Sequence, residues 1–311
     1  VLVTLYSEFD LTLSQTRERA RNDRAHFFKY MSSSTAELVL KNRTLRWSTP
    51  GCLNDPFDMQ FDFDLAVTAA DVVPEALEVL WQIYQGEREP GETKFGRLMG
   101  IARAAQQKKT KDEFSADWGS ALEQSFRNMK DELPALNRGL KEQALTAKVL
   151  CLTERPDNAN MWNFYAEQHK GVVLRFRSIP AFDSAFMMAQ RVNYSKHAPQ
   201  IAEKQEIVDF LTGLRRLDKL RVLHQLIFTK TEDWAHEREW RIFSGDGRNK
   251  TTAPEDIRFF ANELDGLIFG KDCPSAMREK LAQLASRYPN VALYEARNVG
   301  GFGLQIHTSN Q

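Results

Sequence analysis

After residue 147 the chain keeps returning to short apolar or alternating runs that read as strands, at 148–153, 171–177, 191–195, 239–243, 266–269, 291–295 and 303–307. Helical spacing interrupts them only at 160–169, 202–228 and 275–286. A doubly wound α/β fold needs a helical crossover between nearly every pair of parallel strands. Strands here outnumber such crossovers, which predicts an α+β fold with a mixed, mainly antiparallel sheet.

The first part of the chain adds to that frame. Residues 1–25, charge-dense over 11–24, are expected to form a polar lead-in helix, with 26–311 as a single α+β domain. A strand is predicted at 26–30. A short helix capped near Ser34 to Glu37 should follow, with Leu38, Val39 and Leu40 packing inward, and a second strand at 44–48 should stop at Pro50-Gly51. From Asp58 the alternation is regular: Met59, Phe61, Phe63 and Leu65 on one face, Asp58, Gln60, Asp62 and Asp64 on the other, which reads as a strand with one wet, acidic side. Between about 70 and 147 apolar residues recur at three- and four-residue spacing, with a polar break over 85–93; this predicts a helical insertion, or a lid over a site.

Composition narrows the function classes. Across 311 residues, 42 Lys+Arg balance 42 Asp+Glu, so the global basic field of a non-specific nucleic-acid binder is missing. Local basic stretches remain at Arg97, Arg103, Lys108, Lys109 and Lys111, and at Arg215, Arg216, Lys219 and Arg221; they read as solvated helix faces or as a basic rim for a polyanion. No apolar run approaches the ~20 residues that span a bilayer, so no membrane partner is expected. Val1 to Asp10 lacks a basic flank followed by an apolar run, and Cys52, Cys151 and Cys273 are too few and too scattered for a disulfide framework, which points to a reducing, cytoplasmic setting.

Familiar motifs fail on inspection. His236-Glu237 opens like a zinc-protease helix, but Trp240 stands where the second histidine belongs. Gly300-Gly301-Phe302-Gly303 links two strand-like segments and opens no helix, so it is a turn and not a dinucleotide fingerprint. No metal site is predicted from these.

Three constellations remain. In Leu53-Asn54-Asp55-Pro56-Phe57-Asp58, which follows Arg46-Trp47-Ser48, Asx side chains before a proline build a firm corner that suits either structure or function. On the helix from Met161, ~100° per residue places Trp162, Tyr165 and His169 on one stripe, fit for an aromatic heterocycle or for the core. If 234–243 is a strand, Glu237, Glu239 and Arg241 share a face, the two carboxylates about 6.5–7 Å apart. One carboxylate would then stabilise positive charge while the other positions a nucleophile, with Arg241 keeping one glutamate ionised; the alternative is a surface charge ladder on an edge strand.

Together these blocks resemble a bacterial domain-of-unknown-function family, number 2971, through Lys29-Tyr30, Leu53 to Asp58, Met161 to Ala166 with His169-Lys170-Gly171, and Trp234 with Glu237, Glu239, Trp240 and Arg241. The likeness runs from about residue 26 to 270 and implies no activity. More remotely, the order of Tyr30 or Arg46, then Trp162, Tyr165 and His169, then Glu237-Arg238-Glu239 is similar to the ADP-ribosyltransferase superfamily, whose late strand carries a Glu-x-Glu element. The chain departs from it in having Tyr30 where a first-strand histidine is usual and in lacking the Ser-Thr-Ser strand.

That resemblance implies an NAD-dependent transferase, a glycosyl transfer that modifies a macromolecule as a toxin or defence effector would, with NAD as substrate and a protein, nucleic acid or water as acceptor. Trp162 and Tyr165 would stack on a ring of NAD, with Tyr30 and His169 beside them. Arg46 or Lys29 would hold the pyrophosphate, and Ser48, Asn54, Asp55 and Arg241 would complete the binding set. Glu239 would stabilise the oxocarbenium-like charge, as carboxylates do in glycoside cleavage, and Glu237 would orient the acceptor. Two other readings stay open: a metal-assisted hydrolase or nuclease using Asp55, Asp58 and Asp62 or Asp64, and a non-catalytic ligand-binding module.

Overall fold

The computed structural model describes residues 21–105, 109–299 and 303–309. In chain order its elements are β1 (His26–Met31), α1 (Ser33–Asn42), β2 (Thr44–Trp47), α2 (Ala69–Gln85), α3 (Lys94–Ala104), α4 (Lys111–Ala144), β3 (Val149–Thr153), α5 (Ala159–Tyr165), β4 (Val172–Arg177), β5 (Gln190–Arg191), β6 (Asn193–Ser195), α6 (Lys204–Leu211), α7 (Lys219–Phe228), β7 (Thr229–Thr231), β8 (Glu239–Phe243), β9 (Glu255–Arg258), β10 (Leu264–Phe269), α8 (Ser275–Ala285), β11 (Ala292–Val299) and β12 (Gly303–Thr308). Among the described residues two compact units emerge: one drawn from 61–142 and 197–226, the other from 21–60, 143–196 and 227–309. The fold is α+β.

The second unit is built on an eight-stranded sheet in the order β12-β11-β10-β4-β1-β3-β8-β5. Every pairing in it is antiparallel except β10 with β11, the pair joined through α8, because parallel neighbours need a long crossover. β10 is buried along its whole length, and period two divides the central strands between two cores. Val172, Leu174 and Phe176 of β4, with Leu264, Leu267 and Phe269 of β10, pack with Val39 and Leu40 of α1 and Leu281 and Leu284 of α8. Val173 and Ile268 point the other way, towards Met161 and Trp162 of α5. β2 with β9 and β6 with β7 form separate two-stranded ladders.

The first unit holds α2, α3, α4, α6 and most of α7. Its centre is aromatic: Phe114 contacts Trp81, Tyr84 and Trp118, and Phe95 meets Trp118 edge-on. Arg103, Lys109, Lys111, Arg215 and Arg221 pair with Glu89, Asp117, Glu78, Asp209 and Glu206, so these members of the basic stretches are ion-paired. Lys108 lies outside the described residues.

Several local expectations change. The lead-in helix lies outside the described residues up to position 20, and 21–25 are not helical; Asn22 is tied instead to the carbonyls of Phe186, Met187 and Ala189. Leu38 is exposed, since α1 starts at Ser33 under a Ser32 cap and turns Ala36, Val39 and Leu40 inward. The 58–65 strand does not form: a turn with Met59 at φ 59° occupies its start, although Met59, Phe63 and Leu65 are buried as the alternation required. The 191–195 strand breaks at Val192 into β5 and β6, and the 202–228 helix breaks over 212–218 into α6 and α7. Gly300, Gly301 and Phe302 lie outside the described residues. Among the described residues, no helix is long and apolar enough to cross a membrane.

Candidate functional site

Arg241, wholly buried in β8, organises the site. Its Nε and Nη2 donate to Glu239 Oε1 and Oε2 at 2.7 and 3.0 Å, and its Nη1 and Nη2 donate to Asp58 Oδ1 and Oδ2 at 2.7 and 2.5 Å. Nη1 also reaches the Ile227 carbonyl, so all three guanidinium nitrogens are committed. The Asn54-Asp55-Pro56 corner delivers Asp58 to this clamp. Asp55 Oδ1 accepts from Phe57 N, and the Asp55 carbonyl accepts from Asp58 N, closing a tight Asx turn.

Lys230 from β7 joins the carboxylates. Its Nζ lies 2.6 Å from Glu237 Oε2, 3.4 Å from Glu239 Oε2 and 3.7 Å from Asp58 Oδ2, and it sits 4.6 Å above the centre of the Trp234 ring. Burial opposes its charge, but Glu239, Glu237 and Asp58 outweigh that and hold its pKa above the ordinary lysine value. Burial likewise disfavours the Glu239 anion, yet Arg241 and Lys230 prevail and hold its carboxyl down at about 2. The charge ladder is therefore interior, not a surface device.

Glu237 arrives differently from the expected strand. A 3-10 turn, Glu232–Glu237, ends in Arg238 at φ 46°, and β8 begins only at Glu239. The left-handed residue kinks the chain so that both glutamates still meet Lys230. Glu237 Oε1 accepts from the Tyr165 hydroxyl at 2.5 Å, and its carbonyl accepts from Thr153 Oγ1. Burial raises the Tyr165 phenol, and the Glu237 carboxylate raises it further.

These groups line a cavity of about 160 Å³ in the second unit. Of the sequence-predicted residues it brings together Lys29, Tyr30, Ser48, Asn54, Tyr165, Glu237 and Glu239. Lys29 Nζ donates to the Cys151 carbonyl at 2.7 Å; burial lowers its pKa against the pull of Glu239 and Glu237. Asp58, Lys230, Cys52 and Cys151 also line the cavity. Lys230 was missed because nothing in its local sequence marks it; only its following of an apolar helix into a short strand places it. All three cysteines are free thiols.

Five predicted residues stand apart from the lining. Arg46 is exposed on β2 and pairs with Asp256. Asp55 is buried in its turn, with Oδ2 lacking a hydrogen-bond partner among the described residues. Arg241 lies beneath Glu239. Trp162 is fully buried, donates its indole N–H to the Pro156 carbonyl and meets Tyr30 edge-on at 5.3 Å, so it is a core residue and cannot stack on a ligand. His169 is off the helix: α5 stops at Tyr165, and Glu167, Gln168 and His169 all take positive φ, 49°, 53° and 69°. The chain there packs so closely that a Cβ on Gly270 would lie 2.0 Å from the His169 carbonyl oxygen. His169 stacks on Trp162 with its Nδ1 buried, and burial, reinforced by Lys271, lowers its pKa.

The metal arrangement gains nothing from this geometry. Asp58 gives both oxygens to Arg241, Asp62 pairs with Lys141, and among the described residues no three His, Cys, Asp or Glu side chains are grouped to hold an ion.

Residues 161–242 match a family described as "Protein of unknown function (DUF2971)". The match takes in Tyr165, Lys230, Glu237, Glu239 and Arg241 but stops short of Lys29 and the 54–58 corner, a narrower span than the sequence blocks implied. No curated protein and no solved structure matches the chain. The likeness to ADP-ribosyltransferases receives no support from these comparisons.

Proposed function

We propose that the cavity binds the nicotinamide end of NAD and that the protein transfers ADP-ribose to a macromolecular acceptor or to water. One observation carries the reading: two buried glutamates, bridged by Lys230, line a cavity of single-ring size. A volume of about 160 Å³ is comparable to cavities that hold a benzene ring and well below the roughly 300–1,000 Å³ of pockets that enclose a drug-sized ligand. The ring would enter, and the rest of the dinucleotide would lie outside.

In this proposal the two glutamates exchange the roles first expected of them, a reading supported by their hydrogen bonds. Glu239 has both oxygens in the Arg241 fork, so its charge is spent on positioning Arg241 and Lys230. Glu237 is held by one phenol and one ammonium and keeps a further lone pair on each oxygen for a ligand. In the proposed step the bond from the nicotinamide nitrogen to ribose C1′ breaks, its electron pair leaving with nicotinamide. Glu237 stabilises the positive charge that develops on the ribose, and the acceptor forms the new bond to C1′ as its proton passes to solvent.

The second reading, a non-catalytic ligand-binding module, is favoured by the fact that every oxygen of Glu237 and Glu239 already has a partner. Incubation with NAD separates the two. A transferase releases free nicotinamide, with or without cell extract, and shows an NAD-dependent rise in melting temperature. A rise without release identifies a binding module, and the absence of both effects refutes NAD as the ligand.

A further inference from the structure

Just beyond β3, Glu154 is one carboxylate met by three arginines. Arg191 Nη2 at 2.7 Å and Arg24 Nη1 at 3.4 Å reach the same oxygen, Oε2, and Arg238 Nη1 lies 3.5 Å from Oε1. The Trp240 indole N–H also donates to Oε2, at 3.1 Å. The Glu154 side chain is 9% exposed, whereas those of Arg191 and Arg238 are 63% and 53% exposed. Side chains alternate along β8, so Trp240 faces away from Glu239 and Arg241, and this cluster is separate from the cavity.

The arrangement is preorganised. Arg191 of edge strand β5 is in register with Trp240, and the Arg191 and Arg24 guanidiniums lie 5.5 and 5.7 Å from the centre of its ring. Arg24 is pinned further by the His26 and Glu154 carbonyls. The next carboxylate along, Asp157, has both oxygens taken by Arg155. One carboxylate neutralises one guanidinium, so three guanidiniums around Glu154 leave an excess of two positive charges. Among the described residues, Arg191 and Arg238 each meet a carboxylate through a single nitrogen, leaving N–H edges of both forks open to an anion.

We propose that Arg24, Arg191 and Arg238 bind a phosphate-monoester dianion, the phosphoryl end of a small soluble ligand. A monoester carries about −1.5 to −2 at pH 7 and offers three acceptor oxygens, matching both the excess charge and the open donor edges. A carboxylate would cancel only half of the excess. The site does not depend on the cavity being an NAD site.

The test is calorimetric titration of the full chain with inorganic phosphate at low salt, with sulfate and acetate in parallel. Saturable 1:1 phosphate binding is expected, at least tenfold weaker in an Arg191→Gln/Arg238→Gln protein and unchanged in Arg46→Gln, whose exposed arginine lies elsewhere. Phosphate affinity should fall between pH 7.5 and 5.5 as the anion takes up its second proton, while sulfate affinity holds. Arg191→Lys, which keeps the charge and loses the fork, should weaken binding severalfold and gives an answer should the double variant fail to fold. No saturable binding, equal binding in the double variant, or acetate bound as tightly as phosphate would overturn the proposal.

Discussion

Replacing Glu239 by glutamine keeps the side chain's shape and removes the charge around which Arg241 and Lys230 are arranged. In the folded protein its carboxyl falls from 4.5 to about 2, a shift worth about 3 kcal/mol of preference for the ionised form. Removing one partner of a buried ion pair independently costs about 3–5 kcal/mol, because the remaining charge is stranded. Here Arg241 would keep Asp58, so the lower figure applies. The folded pKa lies below the unfolded one, so Glu239's contribution is present in full above about 4.5 and is lost as pH falls towards about 2. Urea unfolding at pH 7 should show the variant about 3 kcal/mol less stable with an unchanged m-value, and the gap to the wild type should shrink between pH 5 and pH 3. A variant within about 1 kcal/mol of wild type at pH 7, or a gap independent of pH, would refute the clamp as the source of that stability.

Other substitutions separate packing from chemistry. Trp162→Ala should cost about 3–5 kcal/mol in chemical denaturation, as a fully buried indole does, with any change in ligand affinity following the loss of folded protein. Tyr165→Phe removes the hydroxyl that Glu237 accepts from, and is expected to lower stability by about 1 kcal/mol while weakening NAD binding at least fivefold in a thermal-shift titration. Gly270→Ala sets a methyl against the His169 carbonyl oxygen and should lower the melting temperature by several degrees, with faster amide exchange over 166–171.

The strands of the large sheet were legible because their period or apolar runs are local properties. Val172 to Phe176 and Leu264 to Phe269 announce a strand covered on both faces, and the α2 to α4 insertion announces itself by its spacing. The site was half legible. Parity placed Glu237 and Glu239 together, but for the wrong local reason, since left-handed Arg238 does what an unbroken strand was expected to do. Helical spacing likewise carried His169 onto a stripe with Trp162; three successive left-handed residues end the helix and still stack the rings. Asp58 was visible as an acid but not as the partner of Arg241, 183 positions away, and Lys230 carried no signal at all. Both owe their roles to tertiary pairing, which local pattern does not encode.

The most direct test is nicotinamide release from NAD by wild type and Glu237→Gln, each shown by its melting curve to be folded at the assay temperature. The proposed chemistry predicts release above the uncatalysed rate in the wild type and a loss of at least 100-fold in the variant, in line with removal of one charge-stabilising group. Equal release by both proteins, or none by the wild type with or without acceptor, would contradict it.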